Sequence, residues 1–507
     1  MAERIALIPL DTRPCNVRFP AQLARLAGYK LQLPPLSLLG QFTTPGQPEP
    51  LSEWFLAQGA EAKVVLVSAD MLAYGGLIAS RTPDVSLSHA QQRLSVLSRF
   101  RQQFPSVTVY ASNVLMRTSL TASSPENLRY WRQLHRYSEL LGRRERTAQQ
   151  EREQLERDLP PALLQAYHTA RARNHAVNRQ MVEYVAAGVV DYLILTQEDA
   201  AEFGPHREEQ MALRALAADL GVSERVSLHP GASEAALTLL ARWVNTARQR
   251  APRVAVYYAS AGGAERISPF EDRPLRETVE AHVGAIGAEI VPAEGQADFL
   301  LLVNTPRGPG RREVEQDPQS PGAVQVQRFV DTLARALEQG WTVALADVAF
   351  PNGADTLLME LLTQRIELPR LTAYAGWDTA GNTLGTVLAQ ACLHDGRQPA
   401  AQVEFLFSRF VDDYLYQSLL RPQINAELER QGLSPLNLGE AYELVKREVA
   451  QRLEIQAREF FDRHFRGCRV TTASGQWQIG KLVRCDLTLP WPRTFEVEVA
   501  VEITGEG

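Results

Sequence analysis

Short runs of consecutive apolar residues recur along roughly the first 390 positions, and longer stretches of helical period separate them. The runs are "RIALIPL", "AKVVLVS", "SVTVYAS", "DYLILT", "RVSLH", "RVAVYYAS", "ADFLLLV", "TVALA" and "RLTAYA", with a weaker "YKLQLP". Strands buried on both faces read this way, and their alternation with helices marks parallel βα units. The pattern predicts an α/β protein with a parallel (β/α)-barrel-like region. Because there are more runs than the eight strands of such a barrel, two parallel-sheet lobes divided near residue 250 are the alternative.

Two stretches depart from the alternation. Residues 125–187 are helical throughout with dense mixed charge, which predicts a helical insertion between two strands with a solvated face. After Leu393, amphipathic helices precede "RVTTASGQWQIG", "LVRCDLTLP" and "FEVEVAVEI", read as strands. The expected domains are therefore an α/β region over 1–393 and an α+β domain over 394–507, whose helices either cover a pocket or form a homodimer surface.

Composition narrows the classes. Lys+Arg 53 against Asp+Glu 59 gives a net charge of −6, so no basic field for nucleic acid or an anionic membrane is expected. The opening residues lack the apolar region of a secretory signal, and no run reaches the roughly 18 apolar residues of a membrane span. A cytoplasmic protein is expected. Cys15, Cys392, Cys468 and Cys485 have neither CxxC spacing nor a nearby histidine pair, which argues against structural zinc and a disulfide framework.

Parallel α/β folds bind ligands at the carboxyl ends of their strands, so the residues that follow each run are the candidates. They are Asp11 and Arg13, then Asp70, Tyr74 and Arg81, then Asn113 and Arg117, then Gln197, Glu198, Asp199 and His206, then His229 and Glu234. Further on come Asn304 and Arg307, Asp347, Asn352 and Asp355, and Trp377, Asp378 and Asn382. A single polar strand end is usually a helix cap, as Asp355, Asn382 and Ser233 could be. The recurrence of such residues at successive ends predicts a polar pocket.

Carboxylates and amides bind hydroxyl groups, and an aromatic ring such as Tyr74 or Trp377 packs on the apolar face of a sugar. The expected ligand is therefore a small carbohydrate. Glu198 and Asp199 are adjacent just past a buried run, and two carboxyls at close range cannot both ionise freely. They are read as an acidic catalytic pair, with the other strand-end residues binding substrate. A metal-dependent hydrolase or lyase using Asp11, Asp70, Asp199, His206 and His229 is a second reading, although HxH, HExxH and DxHxxH spacings are absent. A non-catalytic sugar-binding protein is a third. There is no GxxxxGK[ST], dinucleotide fingerprint or GxSxG, so no cofactor and no serine nucleophile is expected.

"LTQED" and the barrel-like alternation resemble the glycosidases that use the substrate's own acetamido group, which implies an N-acetylamino sugar substrate. Over most of its length the chain resembles a bacterial domain-of-unknown-function family, number 4127, through "PLDTRPCN", "DMLAYGGLIASR", "EDAAEFGPHREE" and "AGWDTAGNTLG". That resemblance implies a shared fold and site. The family pattern has two aspartates in the loop that holds Glu198, so this chain departs from it by one methylene.

Overall fold

The computed structural model describes residues 3–121, 125–292, 294–307 and 322–506. The chain forms two compact units, one of residues 1–17, 29–239 and 270–272 and the other of 18–28, 240–269 and 273–507. Among the described residues no helix is long and apolar enough to cross a membrane.

The first unit is built on β1 (Arg4–Ile8), β2 (Lys30–Gln32), β3 (Ala62–Ser68), β4 (Thr108–Leu115), β5 (Tyr192–Gln197) and β6 (Val226–Pro230), all parallel in the order β2-β1-β3-β4-β5-β6. Helices cover the sheet, and their apolar faces join the strand residues in one core that includes Val65, Val67, Phe55, Phe100, Leu193 and Leu195. Leu193, Ile194 and Leu195 are fully buried.

Three helices, Pro125–Leu141, Arg146–Asp158 and Pro161–Ala186, lie between β4 and β5, as the helical stretch predicts. The first two close a satellite cluster around Leu134, Tyr137 and Leu159. The third is the true crossover, since its Val177, Met181, Val182 and Val185 belong to the sheet core.

The second unit has a five-stranded parallel sheet of β7 (Arg253–Tyr258), β8 (Glu289–Ile290), β9 (Phe299–Asn304), β10 (Val343–Asp347) and β11 (Ala373–Ala375), in the order β11-β10-β9-β7-β8. The C-terminal strands β12 (Arg469–Thr472), β13 (Gly475–Thr488) and β14 (Glu498–Glu506) form an antiparallel sheet in the same unit. Both sheets share one core with the helices Pro399–Arg409 and Tyr442–His464. β13 joins parts of two runs that read as separate strands, with Gly475 at φ 139° completing the turn from β12.

The architecture is thus the two-lobe alternative rather than a barrel. In a barrel the last strand pairs with the first. Here β2 and β6 are the edges of one sheet, β8 and β11 those of the other, and β6 does not pair with β7. Apolar runs specify buried parallel strands but not the non-local pairing that would close them. Each sheet has the doubly wound order 2-1-3-4-5 in its own numbering, with β6 extending the first.

Candidate functional site

Reversal of strand order opens a crevice at the carboxyl edge of such a sheet. In the first unit the reversal falls between β1 and β3, and Asp11 and Asp70 follow those strands. Asp11 accepts the Arg13 amide at 3.0 Å and the Asn16 side chain at 2.7 Å, and pairs with the Arg13 guanidinium at 2.8 Å. "DTRPCN" therefore binds itself into a rigid turn.

Asp70 occupies the first turn of the short helix Ala69–Tyr74, which Ser68 caps by accepting the Met71 amide at 3.3 Å and Gly75 ends at φ 89°. Its carboxylate accepts the Asn113 amide at 3.2 Å and the Val114 backbone N–H at 2.9 Å, and Asn178 supports Asn113 from the crossover helix at 2.6 Å. No ion pair reaches Asp70 among the described residues. Burial without a counterion, aided by the negative charge of Glu198, pushes its pKa up to about 7 despite the two hydrogen bonds. Tyr74 is buried, and the Arg173 guanidinium lies 4.3 Å from its ring centroid.

Glu198 and Asp199 have separate environments. Glu198 is buried just past β5 and forms an ion pair with Arg81, with Arg117 at 3.9 Å. Asp199 is more exposed and pairs with Arg117. Arg81 ends the turn Ala79–Arg81, whose Ser80 carbonyl accepts Arg173 at 2.5 Å and Asn174 at 2.9 Å. One oxygen of Glu198, the Nε of Arg81 and the Ser119 hydroxyl are buried without hydrogen-bond partners among the described residues. This strand can end in two carboxylates because each has its own arginine.

The remaining candidates of this unit brace the loops. Gln197 accepts Gln210 at 3.1 Å and donates to the Glu198 carbonyl at 2.9 Å, and Gln210 also donates to Asp272 at 2.6 Å. His206 is fully buried with Nε2 at 2.9 Å from the Ala201 carbonyl, and burial pulls its pKa down to about 3, so the ring is neutral. His229 is buried, with Nδ1 3.0 Å from the Pro230 carbonyl and 3.7 Å from Glu234. The five residues weighed as cation ligands, Asp11, Asp70, Asp199, His206 and His229, therefore each have other partners.

The raised pKa of Asp70 carries a stability signature. The native state holds this proton after the unfolded chain, near the ordinary carboxylate value of 3.8, has lost it. Its contribution is complete below that value and is lost as pH rises through about 7. Asp70→Asn is thus expected to gain stability relative to wild type between about pH 5 and about pH 8, as read by urea denaturation. A constant difference across that range would contradict the assignment.

The second unit repeats the motif. Asn304, at the end of β9, donates to Asp347 at 2.8 Å and Asp355 at 3.0 Å. Burial, together with the neighbouring Asp355 charge, raises the pKa of Asp347, while Asp355 pairs with Arg307 and accepts the Leu357 amide at 3.1 Å as a helix cap. Asp413 accepts the Gly376 amide at 2.7 Å and pairs with Arg409 at 2.9 Å, and Tyr374 is buried with its hydroxyl unpartnered among the described residues. Asn352, at φ 60°, donates its amide to the Asp378 carbonyl at 2.8 Å. Trp377 is buried, joined to Asp378 by a cis peptide, and packs 5.6 Å from Phe495, which makes it part of the interior. Asn382 donates to Thr379 at 3.2 Å.

In each unit, then, a strand-end aspartate that no ion pair reaches among the described residues is bound by an asparagine of the adjacent strand, near a carboxylate that pairs with an arginine. A family model described as a protein of unknown function (DUF4127) matches residues 5–500. The chain belongs to this family. No curated protein matches it.

The DUF4127 chain also uses residues that strand-end reasoning passes over. Arg171, Asn174 and Asn178 are buried on the crossover helix, where Arg171 donates to the Met116 and Arg117 carbonyls, each at 3.1 Å. Their spacing of i, i+3 and i+7, in phase with Ala170, Val177 and Met181, is the signal for a polar stripe that faces inward. Arg409, Asp412 and Asp413 lie at or within the π-helical segment Phe410–Leu420, a geometry enriched at functional sites.

Proposed function

We propose that this protein is a glycoside hydrolase acting on a sugar or N-acetylamino sugar derivative, in which Asp70 is the proton donor and Glu198 its arginine-paired partner. One observation carries the reading. Two carboxyls past β3 and β5 lie in different electrostatic environments, since Glu198 is apposed to Arg81 whereas no ion pair reaches Asp70 among the described residues and burial holds it near pKa 7. Pairs whose environments separate their proton affinities mark acid and base assignments.

In the proposed cleavage Asp70 protonates the leaving oxygen of the glycosidic bond, and Glu198 offers negative charge to the oxocarbenium-like transition state. Water then bonds to the anomeric carbon and gives its proton to the Asp70 carboxylate, which restores the acid. The acid role thus moves from the adjacent Glu198 and Asp199 to a pair distant in sequence, because Asp199 is matched by Arg117 and more exposed. Amides and hydroxyls at the strand ends supply the hydrogen-bonding groups that a polyhydroxyl ligand requires.

A turnover screen against aryl glycosides of neutral sugars and of N-acetylamino sugars, with and without chelator, tests this reading. Turnover that survives chelation is expected. Binding without turnover would replace the enzyme with a sugar-binding protein, and turnover lost with chelator would restore the metal-dependent reading.

A further inference from the structure

A cavity of about 720 Å³ lies at the amino ends of β9, β10 and β11 in the second unit. Its volume is that of a small-molecule site. The lining includes Phe299, which opens β9, and Thr342 and Thr372, which stand next to the starts of β10 and β11. Asn304 and Asp347 stand at the opposite ends of those strands, so the cavity is separate from the acidic cluster of the same sheet.

The lining divides by chemistry. Phe299, Leu337 and Leu371 are buried, and Trp341, half-buried, packs against the core beside them. Arg250, Arg370 and Arg469 supply three guanidiniums. Arg250 is anchored on the Cys392 carbonyl and Arg370 on the Leu337 carbonyl, each by one nitrogen, which leaves their other donors for a ligand. The acids are largely committed elsewhere, Asp298 to Arg253 at 3.4 Å and Asp395 to Arg248 at 3.3 Å. Glu367 is the one lining acid without an ion pair among the described residues. Of the three lining acids, two are matched by arginines outside the lining, which leaves three guanidiniums facing one unmatched acid and makes the cavity receptive to an anion.

A further group lacks a partner. His394 follows the helix Ala380–Leu393, and its Nδ1 is buried with no hydrogen bond among the described residues. Burial lowers the pKa of this histidine, so the ring is neutral and able to exchange a hydrogen bond with a polar heterocycle.

We propose that this cavity binds a nucleoside phosphate, with the base against Trp341 and in hydrogen-bonding reach of His394, and the phosphates held by Arg250, Arg370 and Arg469. An aromatic platform, an unsatisfied buried polar atom and surplus guanidiniums match the three parts of that ligand class. Its lining belongs to the second unit and includes none of the residues proposed for catalysis, so its occupant is assigned as an effector rather than a substrate.

Isothermal titration calorimetry of the full chain with ADP tests the proposal, with adenosine and inorganic phosphate as separate probes. ADP is expected to bind with unit stoichiometry and more tightly than either fragment. Arg469→Ser and Trp341→Leu are each expected to weaken it about tenfold. Arg469 is exposed at the start of β12, so its replacement leaves the core intact. Absence of ADP binding to the wild type, or binding that both variants leave unchanged, would overturn the assignment.

Discussion

Asp70→Asn is expected to lower turnover on a glycoside substrate by ~10²–10⁴-fold, the range for loss of a positioned general acid. Asn keeps the shape of the side chain and can still accept the Asn113 or Val114 hydrogen bond, so the loss reports the proton and not the fold. The pH profile separates this from a structural effect. In the wild type the limb governed by the acid falls as pH rises through about 7, where Asp70 gives up its proton, and in the variant that limb disappears. Asp199→Asn is expected to have a smaller effect, because it removes only the partner of Arg117 at a more exposed position. Equal losses in the two variants would return the acid role to the adjacent pair.

The largest effect on stability is expected at Arg409. Its guanidinium is 1% exposed, pairs with Asp412 at 3.1 Å and Asp413 at 2.9 Å, and lies 3.8 Å from the Phe19 ring centroid. Arg409→Met keeps the bulk but leaves two buried carboxyls without their cation, at a cost of ~3–5 kcal/mol. Asp413 already has a raised pKa from burial, with the Asp412 charge adding to it, so loss of the arginine drives both carboxyls toward protonation. The destabilisation is therefore expected to be smaller in acid than at neutral pH, as read by the urea midpoint. A loss below about 1 kcal/mol at neutral pH would show that the pair is solvated or already neutral.

The strands were legible because buried parallel strands must be apolar along their whole length, as "LLLV" of β9 and "VVLV" of β3 are. Closure was not legible, since it rests on whether β6 pairs with β7, and neither strand encodes the identity of its neighbour. The crossover role of Pro161–Ala186 was hidden by its charge. Arg171 and Arg173 read as solvated, yet both are buried and hydrogen-bonded to backbone carbonyls.

Within the two strand-end clusters, Asp70 and Asn113 in one and Asn304 and Asp347 in the other could be found as polar residues after apolar runs. Their pairing could not, because it depends on strand register: Val114 pairs with Thr196 on one side, and Asp347 with Asn304 in the other sheet. The adjacency of Glu198 and Asp199 was conspicuous in sequence but incomplete as chemistry. What decides their roles is Arg81 and Arg117, 117 and 82 residues away from the carboxylates they bind.

The central claim is that Asp70 holds a proton at neutral pH, and ¹³C-carboxyl NMR titration of aspartate-labelled protein, assigned by loss of a signal in Asp70→Asn, measures it directly. The account predicts a carboxyl that titrates near pH 7 and vanishes in the variant. A signal for Asp70 that titrates in the ordinary carboxylate range would contradict it, and with it the proposed acid role.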